Sequence, residues 1–134
     1  MILVIDANCF IAGFLRNAIS RQIILSDEVA LFSPSWLVDE LNKNELELMD
    51  KFPDKSSFAK TKEVLLSSIK LVSASEYSPF LKEASELVKD SKDIPYFALA
   101  LYLNCALWSN ERVFKNQSRV KILSTSDLIN ELTR

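Results

Sequence analysis

The residues Ile2-Leu3-Val4-Ile5 are apolar at every position. A strand wet on one side alternates polar and apolar residues, whereas a continuous apolar run has to be covered on both faces. The run therefore reads as a buried parallel strand. Val29-Ala30-Leu31-Phe32, Ile69-Lys70-Leu71-Val72, Ala106-Leu107-Trp108 and residues 120–123 read as further strands. Helical stretches separate them. Residues 8–15 and 18–25 form two, with Asn17 or Ser20 as the break. Ser33-Pro34 opens another, with a hydroxyl at the N-cap and proline at the first helical position, and it carries Trp36, Leu37, Leu41 and Leu48 toward the core. Pro53-Asp54 breaks the chain before a helix at 55–68. A further helix runs from Ser78-Pro79 to about Lys89, residues 94–103 are apolar enough to be buried, and 125–133 is a terminal helix capped by Thr125 or Ser126. Alternating strands and helices predict an α/β fold, a three-layer α/β/α sandwich around a small, mainly parallel sheet. A chain of 134 residues is expected to form one domain, 1–134.

Composition narrows the function classes. A single glycine leaves no room for glycine-rich phosphate loops, and the Walker and Rossmann fingerprints are absent. The formal net charge of -2 is unlike that of a strongly basic nucleic-acid coat, so any basic surface has to be local. No apolar run approaches the roughly eighteen residues that span a bilayer, and the start lacks the basic region of a secretory signal. Cys9 and Cys105 sit singly in apolar surroundings and read as buried free thiols, which fits a reducing, cytoplasmic location. With no histidine and no paired cysteine motif, a zinc site is not expected.

The acids stand at informative places. Asp6 closes the first strand, and Asn8, two residues on, can orient it or a bound water. Glu40 shares a helical arc with Trp36, Leu37 and Leu41, where a carboxylate is costly unless it is paired or metal-bound. Asp93 opens the apolar helix, with Asp90 three residues earlier. Glu111 follows the fourth strand through Ser109 and Asn110. Structural readings exist for each: Asp6 and Asp93 can be helix caps, and Glu40 can sit at the rim of its arc beside a lysine. Strand ends and helix starts at the carboxyl edge of a parallel sheet are, however, where open α/β proteins build sites. Carboxylates gathered there suit Mg²⁺ or Mn²⁺ and phosphodiester chemistry without a protein nucleophile.

The stretches Asp6-Ala7-Asn8, Pro34-Ser35-Trp36-Leu37-Val38-Asp39-Glu40-Leu41, Asp90-Ser91-Lys92-Asp93-Ile94-Pro95 and Trp108-Ser109-Asn110-Glu111 resemble, in order and spacing, the motifs of PIN domains. The resemblance covers essentially the whole chain. It implies a metal-dependent endoribonuclease of α/β/α architecture, many of whose relatives are toxins of VapBC-type toxin–antitoxin pairs held by a small antitoxin. By that resemblance Asp6, Glu40 and Asp93 are catalytic metal ligands, and Asn8, Asp90, Ser109 and Asn110 are supporting groups. The fourth acid of the family is usually Asp; Glu111 stands here, with a longer side chain.

Two other readings remain open on these residues: a catalytically weak PIN-like RNA-binding or interaction domain, and an acid-site phosphohydrolase. The second wants another acid two residues after the strand-end Asp, where this chain has Asn8. An RNA substrate calls for positive charge near the acids, and Arg16, Lys43, Lys92, Arg112 and Lys115 flank them in sequence. The apolar residues Phe10, Ile11, Phe14, Leu15, Ile19, Ile23, Ile24 and Leu25 exceed what one small sheet needs, and a homodimer is expected to cover part of them.

Overall fold

The computed structural model describes residues 1–15 and 17–134. Five strands, β1 (Ile2–Ile5), β2 (Ala30–Pro34), β3 (Ile69–Val72), β4 (Ala106–Trp108) and β5 (Ile122–Leu123), form one parallel sheet in the order β3-β2-β1-β4-β5. The helices are α1 (Ala7–Leu15), α2 (Ala18–Ile24), α3 (Trp36–Lys43), α4 (Glu45–Lys51), α5 (Phe58–Ser67), α6 (Ala74–Tyr77), α7 (Leu81–Ser85), α8 (Ile94–Leu103) and α9 (Thr125–Leu132). The central strand explains the layering. Leu3 and Ile5 point into an apolar cluster with α1 to α5 and α9, and Val4 points into a second with α6, α7 and α8. All three are fully buried, as the unbroken apolar run requires.

Helix α8 is apolar on every side because it packs against β1, β2 and β4 while α6 and α7 cover it. It ends at Asn104, which adopts a left-handed conformation (φ 51°) and turns the chain into β4. On the opposite face, α1 brings Phe14 against Phe52 and Phe58, with ring centroids 4.9 and 5.2 Å away. Phe10, Phe14, Ile23 and Ile24 are all buried within the chain. The apolar surplus of α1 and α2 is thus largely absorbed by α4 and α5, with Ile19 and Leu25 left about half exposed.

Several boundaries differ from those expected. Ser33 and Pro34 belong to β2 and do not start a helix. Ser33 is buried and donates its hydroxyl to the Ile5 carbonyl at 3.2 Å, while the Ser35 N–H continues the β3 pairing to Val72. Proline fits there because it ends the ladder, not because it begins α3. Asn44 separates α3 from α4: its side chain and its N–H both bond the Glu40 carbonyl. Residues 74–89 form two short helices joined by a 3₁₀ turn at Ser78–Phe80, and regular helix stops at Ser85. The cap of α9 is Ser124, which forms a reciprocal capping box with Asp127. Asn17 is the break before α2, its side chain accepting from the Ser20 N–H at 2.9 Å.

Candidate functional site

The strand order decides where a site can form. The chain lays β2 and β3 on one side of β1 and β4 and β5 on the other. The connections therefore diverge at the carboxyl ends of β1 and β4, leaving a crevice there. Asp6 and Ser109 are the first residues past those two ends, and the Asp6 N–H donates to the Trp108 carbonyl at 3.1 Å.

A cavity of about 710 Å³ opens at this crevice, lined by Asp6, Glu40, Asp93 and Glu111 together with Asn8, Asp90 and Lys92. Four acids from four segments are thereby brought to one place. Asp6 is buried, and its Oδ1 accepts the Cys9 N–H at 2.8 Å, so it also caps α1. Burial pushes its carboxyl pKa up; the Ser109 hydroxyl and the Cys9 N–H pull the other way, and the charge of Glu111 adds to the rise. Glu40 lies on α3 beside buried Leu37 and Leu41. Its Oε1 accepts the Tyr96 hydroxyl at 2.6 Å. Burial raises its pKa, which the Tyr96 hydrogen bond and the positive charge of Lys92 partly offset.

Asp93 takes the N-cap position of α8 but makes no side-chain capping bond, so its carboxylate is left for the cavity. Its pKa is pushed up to about 6, first by burial and then by the charges of Asp90, Asp6, Glu111 and Glu40. Each of those four neighbouring acids adds to the rise. Glu111 is exposed at the cavity edge, where the Asn8 amide donates to its Oε1 at 3.4 Å and its N–H donates to the buried Ser109 hydroxyl at 3.1 Å.

Other expected residues sit elsewhere. Asn110 turns away from the acids: its side chain pairs with the Thr125 N–H and hydroxyl at 2.8 and 3.0 Å, tying the end of β4 to α9. Lys115 is paired with Asp127 at 3.0 Å, and neither it, Lys43 nor Arg112 lines the cavity. Arg16 lies outside the described residues. Lys92 does line the cavity, and so do Lys89, Tyr96 and an apolar shoulder of Leu87, Val88 and Val113 that sequence reasoning missed. Tyr96 had a signal: a hydroxyl inside an almost wholly apolar helix needs a partner.

The donor set fits a hard divalent cation, since it is carboxylate oxygen with a side-chain amide beside it and no competing nitrogen or thiolate. Cys9 does not join it: burial first, and then the Asp6 charge, push the thiol far up and keep it neutral. Among the described residues no three acids close into a ready coordination cluster. Mg²⁺ retains several waters and takes only one or two carboxylates directly, so it does not require such a cluster.

Comparison with known proteins agrees with this architecture. The solved structure of PAE2754 from Pyrobaculum aerophilum superposes with a TM-score of 0.72 at 20% identity, covering 98% of this chain and 88% of that one. VapBC2 from Rickettsia felis, solved bound to a DNA fragment from its promoter, gives 0.67 at 16% identity, covering 92% and 98%. At these identities the likeness is one of fold. Among curated protein sequences no significant match is found. The profile of the PIN domain family matches residues 4–133, from within β1 to the C-cap of α9, and the chain belongs to the PIN domain family.

Proposed function

We propose that this chain is a divalent-metal-dependent endoribonuclease that hydrolyses RNA phosphodiester bonds, acting as the toxin of a toxin–antitoxin pair. The observation that carries the reading is the gathering of Asp6, Glu40, Asp93 and Glu111 around one cavity at the sheet's switch point. Acids whose charges raise one another's pKa are poorly placed for stability and well placed to receive a cation. Asp6, Glu40 and Asp93 would hold Mg²⁺ or Mn²⁺, with Glu111 completing the site. Such an ion, when bound, supplies an activated water and neutralises charge on the phosphate. The protein's own contributions are distinct. Ser109 and the Cys9 N–H keep Asp6 oriented, Asn8 steadies Glu111, and Lys92 offers positive charge to the phosphate at the cavity edge.

The fold shared with VapBC2 supports a small antitoxin as partner. A homodimer, a single domain over 1–134 and a cytoplasmic location belong to the same reading. No helix among the described residues is long and apolar enough to cross a membrane. A second reading, an RNA-binding domain of weak activity, draws on the absence of a ready three-acid cluster among the described residues and on exposed Glu111.

Asp6→Asn separates the two. Asparagine caps a helix about as well as aspartate, so α1 keeps its cap and the fold should survive. Removing one preorganised charge should cost roughly 100- to 1000-fold in rate. RNA cleavage measured across a Mn²⁺ titration is the assay. A variant as active as wild type would refute metal catalysis here, and wild-type protein that binds RNA without cutting it would favour the second reading.

A further inference from the structure

We infer that Tyr96 is a positioning residue for the acid site, holding the Glu40 carboxylate so that it presents to the cavity as an ordered oxygen donor. The inference rests on the metal-dependent reading above. Glu40 lies on α3 and Asp93 at the N-cap of α8, and Tyr96 bridges them: it stands three residues after Asp93 and reaches Glu40 across 56 residues of sequence. Tyr96 as a whole is 3% exposed and belongs to the apolar cluster that also contains Val4, Phe97 and Leu107, so packing restricts its rotamer. Tyr96 also lines the cavity, and its hydroxyl donates to Glu40 Oε1 at 2.6 Å.

Glu40 has much less to hold it. It is half-buried on a short helix, with three rotatable bonds between backbone and carboxylate, and among the described residues no other hydrogen bond reaches that carboxylate. A phenol aimed at Oε1 fixes the rotation of the group and leaves Oε2 without a protein partner. At 2.6 Å the contact is at the short end of the range for a hydroxyl donor to oxygen. Because Asp93 is the N-cap of α8, which carries Tyr96, the same contact couples the position of Glu40 to that of Asp93. Groups that orient a ligating carboxylate typically contribute about 10- to 100-fold to metal affinity.

The experiment is calorimetric titration of Mn²⁺ into purified, RNA-free protein. Tyr96→Phe retains every ring carbon and removes only the donor, and far-UV circular dichroism checks that its helices are intact. Affinity for Mn²⁺ should fall about tenfold. Glu40→Gln should lower it at least as much, and the double variant Tyr96→Phe/Glu40→Gln should be no weaker than Glu40→Gln alone, because the tyrosine acts through the glutamate. Affinity in Tyr96→Phe equal to or tighter than wild type would overturn the inference, as would losses that simply add in the double variant. Wild-type protein that binds no Mn²⁺ would instead remove the metal-dependent reading and this inference with it, an outcome visible before any variant is compared.

Discussion

At the scale of single residues, the acids of this protein carry two duties at once. Asp6 caps α1 with one oxygen while lining the cavity, and Asp93 occupies a cap position without using it. Glu111 differs from both. It is exposed, follows a strand on a loop, and is steadied by a long 3.4 Å contact from Asn8. An extra methylene costs rotamer entropy and precision. Glu111→Gln should therefore lower RNA cleavage by about tenfold, less than the loss in Asp6→Asn, while Glu111→Asp should retain or exceed wild-type rate. Initial rates at saturating Mn²⁺ decide it; a greater loss for Glu111→Gln than for Asp6→Asn would contradict the ranking.

At the scale of elements, the tight junction between α1 and α2 depends on the chain's one glycine. A Cβ at Gly13 would lie 2.7 Å from Ile24 Cδ1 and 3.3 Å from the Arg21 amide nitrogen. Arg21 exploits this closeness: its guanidinium donates to the Gly13 and Phe14 carbonyls at 2.9 and 2.6 Å, satisfying groups left open at the end of α1. Gly13→Ala gains up to about 1 kcal/mol of helix propensity. The clash opposes it with about 1–3 kcal/mol of overpacking. Urea unfolding should show a net destabilisation of roughly 1 kcal/mol. Adding Ile24→Val, which deletes the clashing methyl, should recover part of it; no recovery would mean that the backbone of α2, not the isoleucine, limits the approach.

At the scale of the whole molecule, the absence of histidine opens a clean experimental window. Asp6, Glu40 and Asp93 all have raised pKa values, Asp93 near 6. Folded protein therefore holds these protons more tightly than unfolded chain. Their contribution to stability is fully present below the unfolded carboxyl pKa of about 4 and is lost as pH rises through the folded values. Asp54 and Asp127 have lowered values, so their contribution fades only below that range. Metal-free protein should melt higher at pH 5 than at pH 7.5, and Asp6→Asn should reduce the difference. Mn²⁺, which favours the ionised acids, should raise the melting temperature more at pH 7.5 than at pH 5. Scanning calorimetry with and without Mn²⁺ tests both signs; a metal-free melting temperature that climbs between pH 5 and 7.5 would go against the repelling acids. Assembly is the other whole-molecule question. Ile19 and Leu25 remain half exposed on and just after α2, beside a 550 Å³ groove that Leu25 shares with Phe52. A homodimer using this face should sediment above 15.2 kDa at high micromolar concentration, and replacing Ile19 and Leu25 with serine should return it to monomer. A wild-type monomer at that concentration would leave the face to another partner.

Local chemistry was enough to determine the alternation of strands and helices, the burial of β1 and α8, and the acids as candidates. Unbroken apolar runs have one physical outcome, and a carboxylate among apolar neighbours needs a reason. Caps and short breaks were less legible. Ser33-Pro34 carries the same signature as a helix start, and only the pairing of β2 with β3 and the bond from Ser33 to Ile5 show it to be strand. Tertiary structure alone decided which neighbours of the acids share their cavity. Asn110 and Lys115 stand close to Glu111 in sequence yet bond Thr125 and Asp127, whereas Tyr96 meets Glu40 from another helix. Sequence distance sets which residues share an element, but helix rotation and strand order set where a side chain points. Those depend on contacts made across the whole sheet.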